Sequence, residues 1–250
     1  MILAAPAHSD YNPLIRKLES IFTLTDDERR ALENLPMQAA VLKDNQDIVR
    51  EGDSPSRSCL LQSGFACTYK ITGAGKRQIM AFNIAGDVPD LQSLHLRVLD
   101  NSVGTLTPCR VGFIPHEVLH DICARYPRLA AAFWRETLID AAIFREWMTS
   151  IGQREAYPRI AHLLCEMLVR LRAVGLAEDH SCDLPITQAE YGDALGLSTV
   201  HVNRVFQALR ADGLIETRGT QVNIPDWERL KQAGDFDPTY LHLKQEQAAA

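Results

Sequence analysis

The fold is decided by residues 186–210, which read ITQAEYGDALGLSTVHVNRVFQALR. Thr187 predicts the N-cap of a first helix, because its hydroxyl can accept a hydrogen bond from a free amide of the first turn. Gly196 predicts the end of that helix, since glycine adopts the left-handed conformation of a tight turn. Ser198 predicts the cap of a second helix over 199–210. Two helices joined by a few residues around a glycine indicate a helix-turn-helix.

The second helix of this unit has two chemically different faces. Steps of about 100° per residue predict an inner, apolar face made of Val202, Val205, Phe206 and Leu209. The same steps predict an outer face made of Val200, Asn203, Arg204 and Gln207. Arginine can form two hydrogen bonds with a guanine edge, asparagine or glutamine can pair with adenine, and valine can touch a thymine methyl group. We therefore predict that the outer four residues read bases in the major groove of double-stranded DNA.

A second set of residues is predicted to contact the DNA backbone. Hydroxyl groups and the amides at helix N-termini hold phosphates without a full positive charge. After Gly213, the runs 214–217 and 221–224 predict the two short strands of a wing, with Arg218 at its tip. The predicted backbone contacts are Thr187, Gln188, Ser198, Thr199, His201 and Arg218.

The composition limits the class of protein. The chain has 250 residues, of which 46% are hydrophobic and 23% charged, as in globular proteins of about two domains. A net charge of −6 gives no overall attraction to nucleic acid, so DNA binding requires a local surface. The apolar runs are far shorter than the ~20 residues of a membrane span, and the N-terminus lacks the pattern of a secretory signal. We predict a cytoplasmic protein with no membrane partner.

The chain preceding the helix-turn-helix changes character several times. After a flexible arm at 1–12, short alternating runs separated by turn residues predict a β-roll with flanking helices over 13–126. A long helix is predicted over 127–152, the helix-turn-helix domain over 153–232, and a C-terminal tail over 233–250. The predicted fold class is therefore α+β, with an N-terminal antiparallel β-roll, a long dimerisation helix and a C-terminal winged helix-turn-helix.

Two apolar lines run along the predicted long helix. The first line consists of Phe133, Thr137, Asp140, Phe144, Trp147 and Ile151. The second line consists of Trp134, Leu138, Ala141 and Met148. A helix with two adjacent apolar faces can cover its own domain with one and a second copy with the other. We predict a homodimer and assign the first line to its interface, with burial of the whole helix inside one monomer as the alternative. Residues 152–158 are predicted to be a hinge, and residues 175–185 a polar connection.

The order of roll, long helix, hinge and winged helix-turn-helix resembles the Crp/Fnr family of bacterial transcription regulators. The resemblance covers residues 25–227 and is carried by the motif at 186–204 and by the turns Gly52-Asp53, Gly64 and Gly86-Asp87 of the roll. It implies a homodimeric, sequence-specific DNA-binding regulator that reads an inverted-repeat operator and is not an enzyme. RNA polymerase is a further implied partner if the protein activates transcription.

The resemblance also assigns roles on the recognition helix. Arg204 matches the family's guanine-reading arginine. Many members carry a glutamate that accepts a hydrogen bond from cytosine at the position of Val200. The better-known half-site is therefore not expected, and an apolar contact is predicted at that base step.

The sensory half departs from the cyclic-nucleotide binders of the family. Those members have a glutamate after the glycine of the phosphate cassette and an Arg-Ser pair farther on, where this chain has Asp87 and Leu99-Asp100. An acidic residue without a neighbouring arginine repels a phosphate, which argues against cyclic AMP. The candidate effector pocket consists of Asp87, Asp90, Arg97, Phe144 and Arg145.

No cofactor or metal site is predicted. The family's oxygen sensors carry clustered N-terminal cysteines, and residues 1–25 contain none, which argues against a [4Fe-4S] centre. Heme, another small molecule, oxidation of Cys165 or Cys182, and the abundance of the protein itself stay open as the signal.

Two alternative functions belong to other classes. His116-Glu117-Val-Leu-His120 matches the H-E-x-x-H pattern of zinc hydrolases, although the predicted helix is short and no third ligand is suitably spaced. The other alternative is a ligand-sensing module that acts through protein contacts without DNA.

Overall fold

The computed structural model describes residues 12–244. It begins with two short helices, α1 (Pro13–Ile21) and α2 (Asp26–Glu33). Thr25 and Glu28 form a capping box at the start of α2, because each side chain accepts a hydrogen bond from the other residue's backbone amide. Apart from Asn12, which caps α1, the predicted arm at 1–12 lies outside the described residues.

The roll consists of two antiparallel sheets, as the alternating runs predicted. Its strands are β1 (Gln38–Leu42), β2 (Asp47–Val49), β3 (Arg57–Ser63), β4 (Ala66–Ile71), β5 (Arg77–Asn83), β6 (Ser102–Thr105) and β7 (Cys109–Pro115). One sheet has the order β1-β7-β3 and the other β2-β6-β4-β5. Gly86 follows β5 at φ +100°, and a Cβ there would lie 2.6 Å from the carbonyl oxygen of Pro13. Glycine is therefore required where α1 packs against the roll.

A short helix, α3 (His116–Arg125), leads into the long helix α4 (Pro127–Gln153). The prediction for the dimer interface was wrong for two residues of the first apolar line. Phe133 and Trp147 are only 6% and 4% exposed, because they pack into the chain's own core. In contrast, Trp134, Leu138 and Met148 of the second line are 69%, 55% and 60% exposed. The second line is therefore exposed along its length, whereas the first line is buried at Phe133 and Trp147 and exposed at Phe144 and Ile151.

The helix α5 (Ala156–Ala173) forms the centre of the C-terminal half. The break from α4 falls at residues 154–155, inside the predicted hinge. Every residue from 160 to 171 is buried, including three that carry polar or charged groups, His162, Glu166 and Arg170. Burial of these groups requires hydrogen-bonding partners, and they come from α4, from the roll and from the C-terminal segment.

The DNA-binding unit contains a small sheet as well as helices. Its elements are β8 (Ala177–Glu178), β9 (Ser181–Asp183), α6 (Gln188–Leu195), α7 (Thr199–Ala211), β10 (Glu216–Arg218), β11 (Gln221–Asn223) and α8 (Trp227–Ala233). The sheet has the order β10-β11-β9-β8. The prediction of a polar connection at 175–185 was therefore wrong, because this segment pairs with the wing and buries Cys182 and Leu184.

The predicted C-terminal tail at 233–250 is folded in its described part, which ends at residue 244. A turn of 3₁₀ helix spans Pro238–Leu241, and Phe236 and Leu241 are only 4% and 2% exposed. The hydroxyl of Tyr240 donates to Glu166 Oε2 at 2.7 Å. The sequence predicted only a tail here, whereas its few apolar residues fix it on α5. No helix in the described range 12–244 is long and apolar enough to cross a membrane.

Candidate nucleic-acid interface

Both helices of the helix-turn-helix begin with the predicted caps. The Thr187 hydroxyl accepts from the Glu190 amide at 3.3 Å, and the Glu190 carboxylate accepts from the Thr187 amide at 2.6 Å. The Ser198 hydroxyl accepts from the His201 amide at 3.2 Å. Gly196 ends α6 in the left-handed conformation, with φ of 67°. The turn between the helices is therefore fixed locally by the residues that predicted it.

The close approach of the turn to α6 depends on a second glycine. A Cβ at Gly192 would lie 2.5 Å from the carbonyl oxygen of Leu197, and that oxygen belongs to the backbone and cannot swing away. The Leu197 amide also donates to the Gly192 carbonyl at 3.1 Å. Behind the turn, the rings of Tyr191 and Phe206 lie 5.1 Å apart, which packs α6 against α7.

The recognition helix α7 separates its two faces as predicted. The inner residues Val202, Val205, Phe206 and Leu209 are buried. On the outer face, Val200 is 71% exposed, and Arg204 and Gln207 are also exposed. Asn203 is half-buried, and its side-chain amide donates to Gln188 Oε1 at 3.1 Å. The four predicted base-reading residues thus lie on one side of α7.

The predicted backbone contacts lie at the start of the two helices and on the wing. Thr187, Thr199, His201 and Arg218 are exposed, as is Ser198. The hydroxyls of Thr187 and Ser198 act as acceptors in their caps, so each keeps its proton to donate to a phosphate oxygen. Arg218 ends β10 at the wing turn, and Arg210 Nη1 donates to Thr217 Oγ1 at 3.3 Å, which ties the wing to α7.

The roll contacts the helix-turn-helix through α6, a contact that the sequence did not indicate. Arg77 Nε on β5 lies 2.8 Å from Asp193 Oδ2, and the side-chain amide of Gln78 donates to the Ala194 carbonyl at 3.1 Å. The paired residues are 116 positions apart, and a local sequence pattern cannot predict a contact between residues so far apart in the chain. α7 takes no part in these bonds, so the base-reading face stays open while α6 is held.

The structure does not gather the candidate effector residues into one pocket. Asp87 and Asp90 are buried, at 7% and 1% exposure, whereas Arg97, Phe144 and Arg145 are exposed. Asp90 Oδ1 accepts from the Cys59 amide at 2.7 Å, and burial raises the pKa of Asp90 to about 7. Neither Arg97 nor Arg145, the two arginines of the candidate pocket, pairs with Asp87.

A different arginine supplies the charge beside Asp87. Arg170 Nη2 of α5 lies 3.3 Å from Asp87 Oδ2, and Lys17 Nζ of α1 lies 2.8 Å from Asp87 Oδ1. Burial alone would raise the pKa of Asp87, but the charges of Lys17 and Arg170 outweigh it and hold the pKa below its usual value. The interior beside Gly86 is thus occupied by an ion network that joins α1, the roll and α5.

The H-E-x-x-H segment is used for packing within the roll. Nε2 of His116 lies 3.0 Å from Ser93 Oγ and 3.2 Å from Ser58 Oγ, and burial lowers the His116 pKa. His120 is exposed and meets the edge of the His95 ring at 5.9 Å. Within residues 12–244, no three His, Cys, Asp or Glu side chains cluster as metal ligands would.

The cysteines do not fit an iron–sulfur cluster or a reactive thiol. They are scattered over β3, β4, β7, α3, α5 and β9, and all but Cys123 are buried. Burial raises the pKa of the Cys182 thiol to about 12 and also raises that of Cys165. The thiolate is the reactive form of cysteine. Cys165 and Cys182, the two candidate redox signals, are therefore held in the unreactive thiol form.

Comparisons with known proteins agree with this geometry. A Crp-like helix-turn-helix domain model matches residues 158–233, and a cyclic nucleotide-binding domain model matches residues 40–126. The transcriptional activator protein FnrA of Stutzerimonas stutzeri is 27% identical over 78% of this chain and 80% of its own length. The transcriptional activator protein anr of Pseudomonas aeruginosa is 28% identical over 82% of this chain and 83% of its own.

Among solved structures, FixK2 from Bradyrhizobium japonicum has the same fold. It matches with a TM-score of 0.73 and 24% identity, covering 80% of this chain and 98% of FixK2. The matched helix-turn-helix model covers α6, α7 and the wing, and the roll model covers all seven strands apart from the first two residues of β1. The chain belongs to the Crp/Fnr family of DNA-binding transcription regulators.

Proposed function

We propose that this regulator acts as a homodimer that reads an inverted-repeat operator, one half-site per subunit. The observation that carries the proposal is the outer face of α7, where Val200, Arg204 and Gln207 are exposed beside Asn203 while the inner face is buried. Two such helices related by a two-fold axis fit half-sites one helical turn, ~34 Å, apart.

The exposed line on α4 supports the dimer. Trp134, Leu138, Ala141, Arg145 and Met148 follow a spacing of four and three residues in turn, which is the 3.5-residue repeat of a coiled coil. Four of these five side chains are apolar, and they are exposed in the single chain. A seam of this length left in water is unfavourable, and a second copy of α4 covers it.

Each side chain at the proposed DNA surface has a distinct role. Arg204 bonds a guanine, Asn203 and Gln207 pair with adenine, and Val200 contacts a thymine methyl group. Gln188 holds Asn203 through the 3.1 Å hydrogen bond and lies beside the DNA backbone in the proposed complex. Thr187, Ser198, Thr199, His201 and Arg218 donate to phosphates and fix the register.

Replacing Val200 with glutamate tests this assignment. A carboxylate at that position accepts a hydrogen bond from a cytosine amino group and repels a thymine methyl group, so we expect the preferred base at one step of each half-site to change. Binding-site selection from a random DNA pool, with the wild type and Val200→Glu side by side, measures this. The wild type should enrich inverted repeats.

Val41→Glu is the matched control, because Val41 is 77% exposed on β1 of the roll and receives the same change. Its selected sites should equal those of the wild type. An unchanged preference for Val200→Glu, or enrichment of single half-sites by the wild type, would contradict the proposal.

The proposed regulator is not controlled by cyclic AMP. Supporting this, the interior beside Gly86 holds Asp87 with Lys17 and Arg170, so the cations there are already paired with carboxylates of the chain. A bound phosphate would have to displace Asp87 from both partners. Calorimetric titration with cyclic AMP should give no saturable heat, and saturable one-to-one binding would refute this part.

The names of two relatives bear on how the protein acts. FnrA and anr are both transcriptional activators. We extend this to RNA polymerase as the second macromolecular partner of this chain. Heme and another small molecule stay among the candidate effectors that the sequence leaves open.

A further inference from the structure

A basic cleft lies between α1, α5, α8 and the C-terminal segment, and DNA recognition makes no use of it. Its volume is about 760 Å³, within the range of small-molecule sites, about 300–1,000 Å³. Four basic side chains line it, namely Arg16, Arg172, Lys231 and Lys244. No strand of the roll contributes to the lining, so the cleft is separate from the roll interior.

The charge in this cleft is opposite to that of the chain as a whole. The net charge of the chain is −6. Glu19 contributes a carboxylate to the lining, and this carboxylate is ion-paired with Arg29. Among the lining residues that the structure describes, the four cations therefore face a space with no unpaired carboxylate, and an anion entering it gains favourable electrostatic energy.

Two of the cations are held in place by their surroundings. The guanidinium of Arg172 donates to the Asp179 carbonyl and lies 6.0 Å from the centre of the Trp227 ring. Nζ of Lys244 lies 3.4 Å from Thr23 Oγ1. Lys231 is half-buried in the wall formed by α8. Cations that are already positioned lose less entropy when they bind a ligand.

Part of the remaining wall is apolar. Val169 and Ala173 of α5, with Pro238 and Leu243 of the C-terminal segment, line the same space. Basic groups combined with an apolar wall suit a ligand with both a charged and a less polar part. Inorganic phosphate alone would fill only a small share of 760 Å³.

We propose that this cleft binds a phosphorylated small molecule of nucleotide size. Arg172, Lys231 and Lys244 donate to its phosphate oxygens, and the apolar wall receives the remainder. The bound molecule touches α1, which packs on the roll, and also α5 and α8 of the DNA-binding half. The site adds a ligand to the proposed function, and its test needs no DNA.

Isothermal titration calorimetry of the full chain with three probes tests the proposal. ATP carries charge and a nucleoside, pyrophosphate carries charge alone, and adenosine carries no charge. We expect one-to-one binding of ATP, weaker binding of pyrophosphate and no binding of adenosine. Raising the salt concentration should weaken ATP binding, because salt screens partly exposed charges. Lys231→Glu should weaken it at least about tenfold, as loss of a charge-assisted hydrogen bond does.

The controls separate this cleft from other basic surfaces. Lys76→Glu makes the same change on the exposed β4–β5 hairpin and should leave ATP affinity unchanged. Arg204→Ala should also leave it unchanged, so a fault in the DNA assignment is distinguishable from a fault here. Lys231→Gln removes the charge without reversing it. A melting temperature equal to that of the wild type shows that a variant at this position is folded. Equal affinity in Lys231→Glu, loss of affinity in Arg204→Ala, or no binding of ATP by the wild type at millimolar concentration overturns the proposal.

Discussion

Replacing Arg204 with alanine is expected to weaken specific operator binding strongly while the fold and the subunit association persist. Arg204 is exposed on α7, and within residues 12–244 its side chain forms no hydrogen bond or ion pair with the core. A bidentate arginine–guanine contact is worth about 1–3 kcal/mol of discrimination. Both subunits lose it, so the ratio of specific to non-specific affinity should fall by roughly 30-fold or more.

Electrophoretic or anisotropy titrations with the selected operator and with scrambled DNA, at one fixed salt concentration, measure this ratio. Arg125→Ala is the matched control, because Arg125 is an exposed arginine of α3 that pairs with Asp121 on its own helix. Its specificity ratio should equal that of the wild type. If Arg204→Ala kept the full ratio, α7 would not be the element that reads bases.

Signals confined to a short stretch of chain predicted the local structure of the DNA-binding unit well. Thr187, Gly196 and Ser198 are caps and turn residues whose effect reaches only a few positions, and all three act as predicted. The inner face of α7 followed from helical periodicity alone. These features depend on backbone hydrogen bonds within one turn, and the sequence carries that information directly.

Features that depend on distant partners were missed. Helical periodicity identified two apolar lines on α4 but could not say which one faces the core, and Phe133 and Trp147 turned out to be buried. No arginine was predicted to neutralise a phosphate beside Asp87, because Leu99-Asp100 stands where the family's cyclic-nucleotide binders have an Arg-Ser pair. Arg170 reaches Asp87 from 83 positions away. Contacts of this kind arise from tertiary packing and leave no periodic trace.

The small sheet and the C-terminal segment show the same limit. Strands of two and three residues, such as β8 and β9, are too short for an alternating pattern to register. The C-terminal segment was predicted to be a tail, yet Phe236, Tyr240 and Leu241 hold it on α5. A few buried side chains are enough to order such a segment, but they are too few to stand out in its overall composition.

The exposed seam of α4 leads to the other large effect, which concerns the dimer. Leu138 is 55% exposed at the middle of that seam, so Leu138→Glu leaves the single chain's core untouched. In a two-fold dimer it places two carboxylates in one apolar interface. Burying an unpaired charge costs several kcal/mol, so we expect the dimer dissociation constant to rise by at least about 100-fold.

Analytical ultracentrifugation over a concentration series measures the dissociation constant, and circular dichroism checks that the helix content is unchanged. Val98→Glu is the matched control, because Val98 is 58% exposed in the roll and lies outside α4. It should stay dimeric. Since a monomer contacts one half-site only, Leu138→Glu should also lose operator affinity, and a higher protein concentration should restore part of it. A Leu138→Glu variant that remains a dimer at micromolar concentration would remove the seam from the interface, and the half-site spacing of ~34 Å would lose its structural basis.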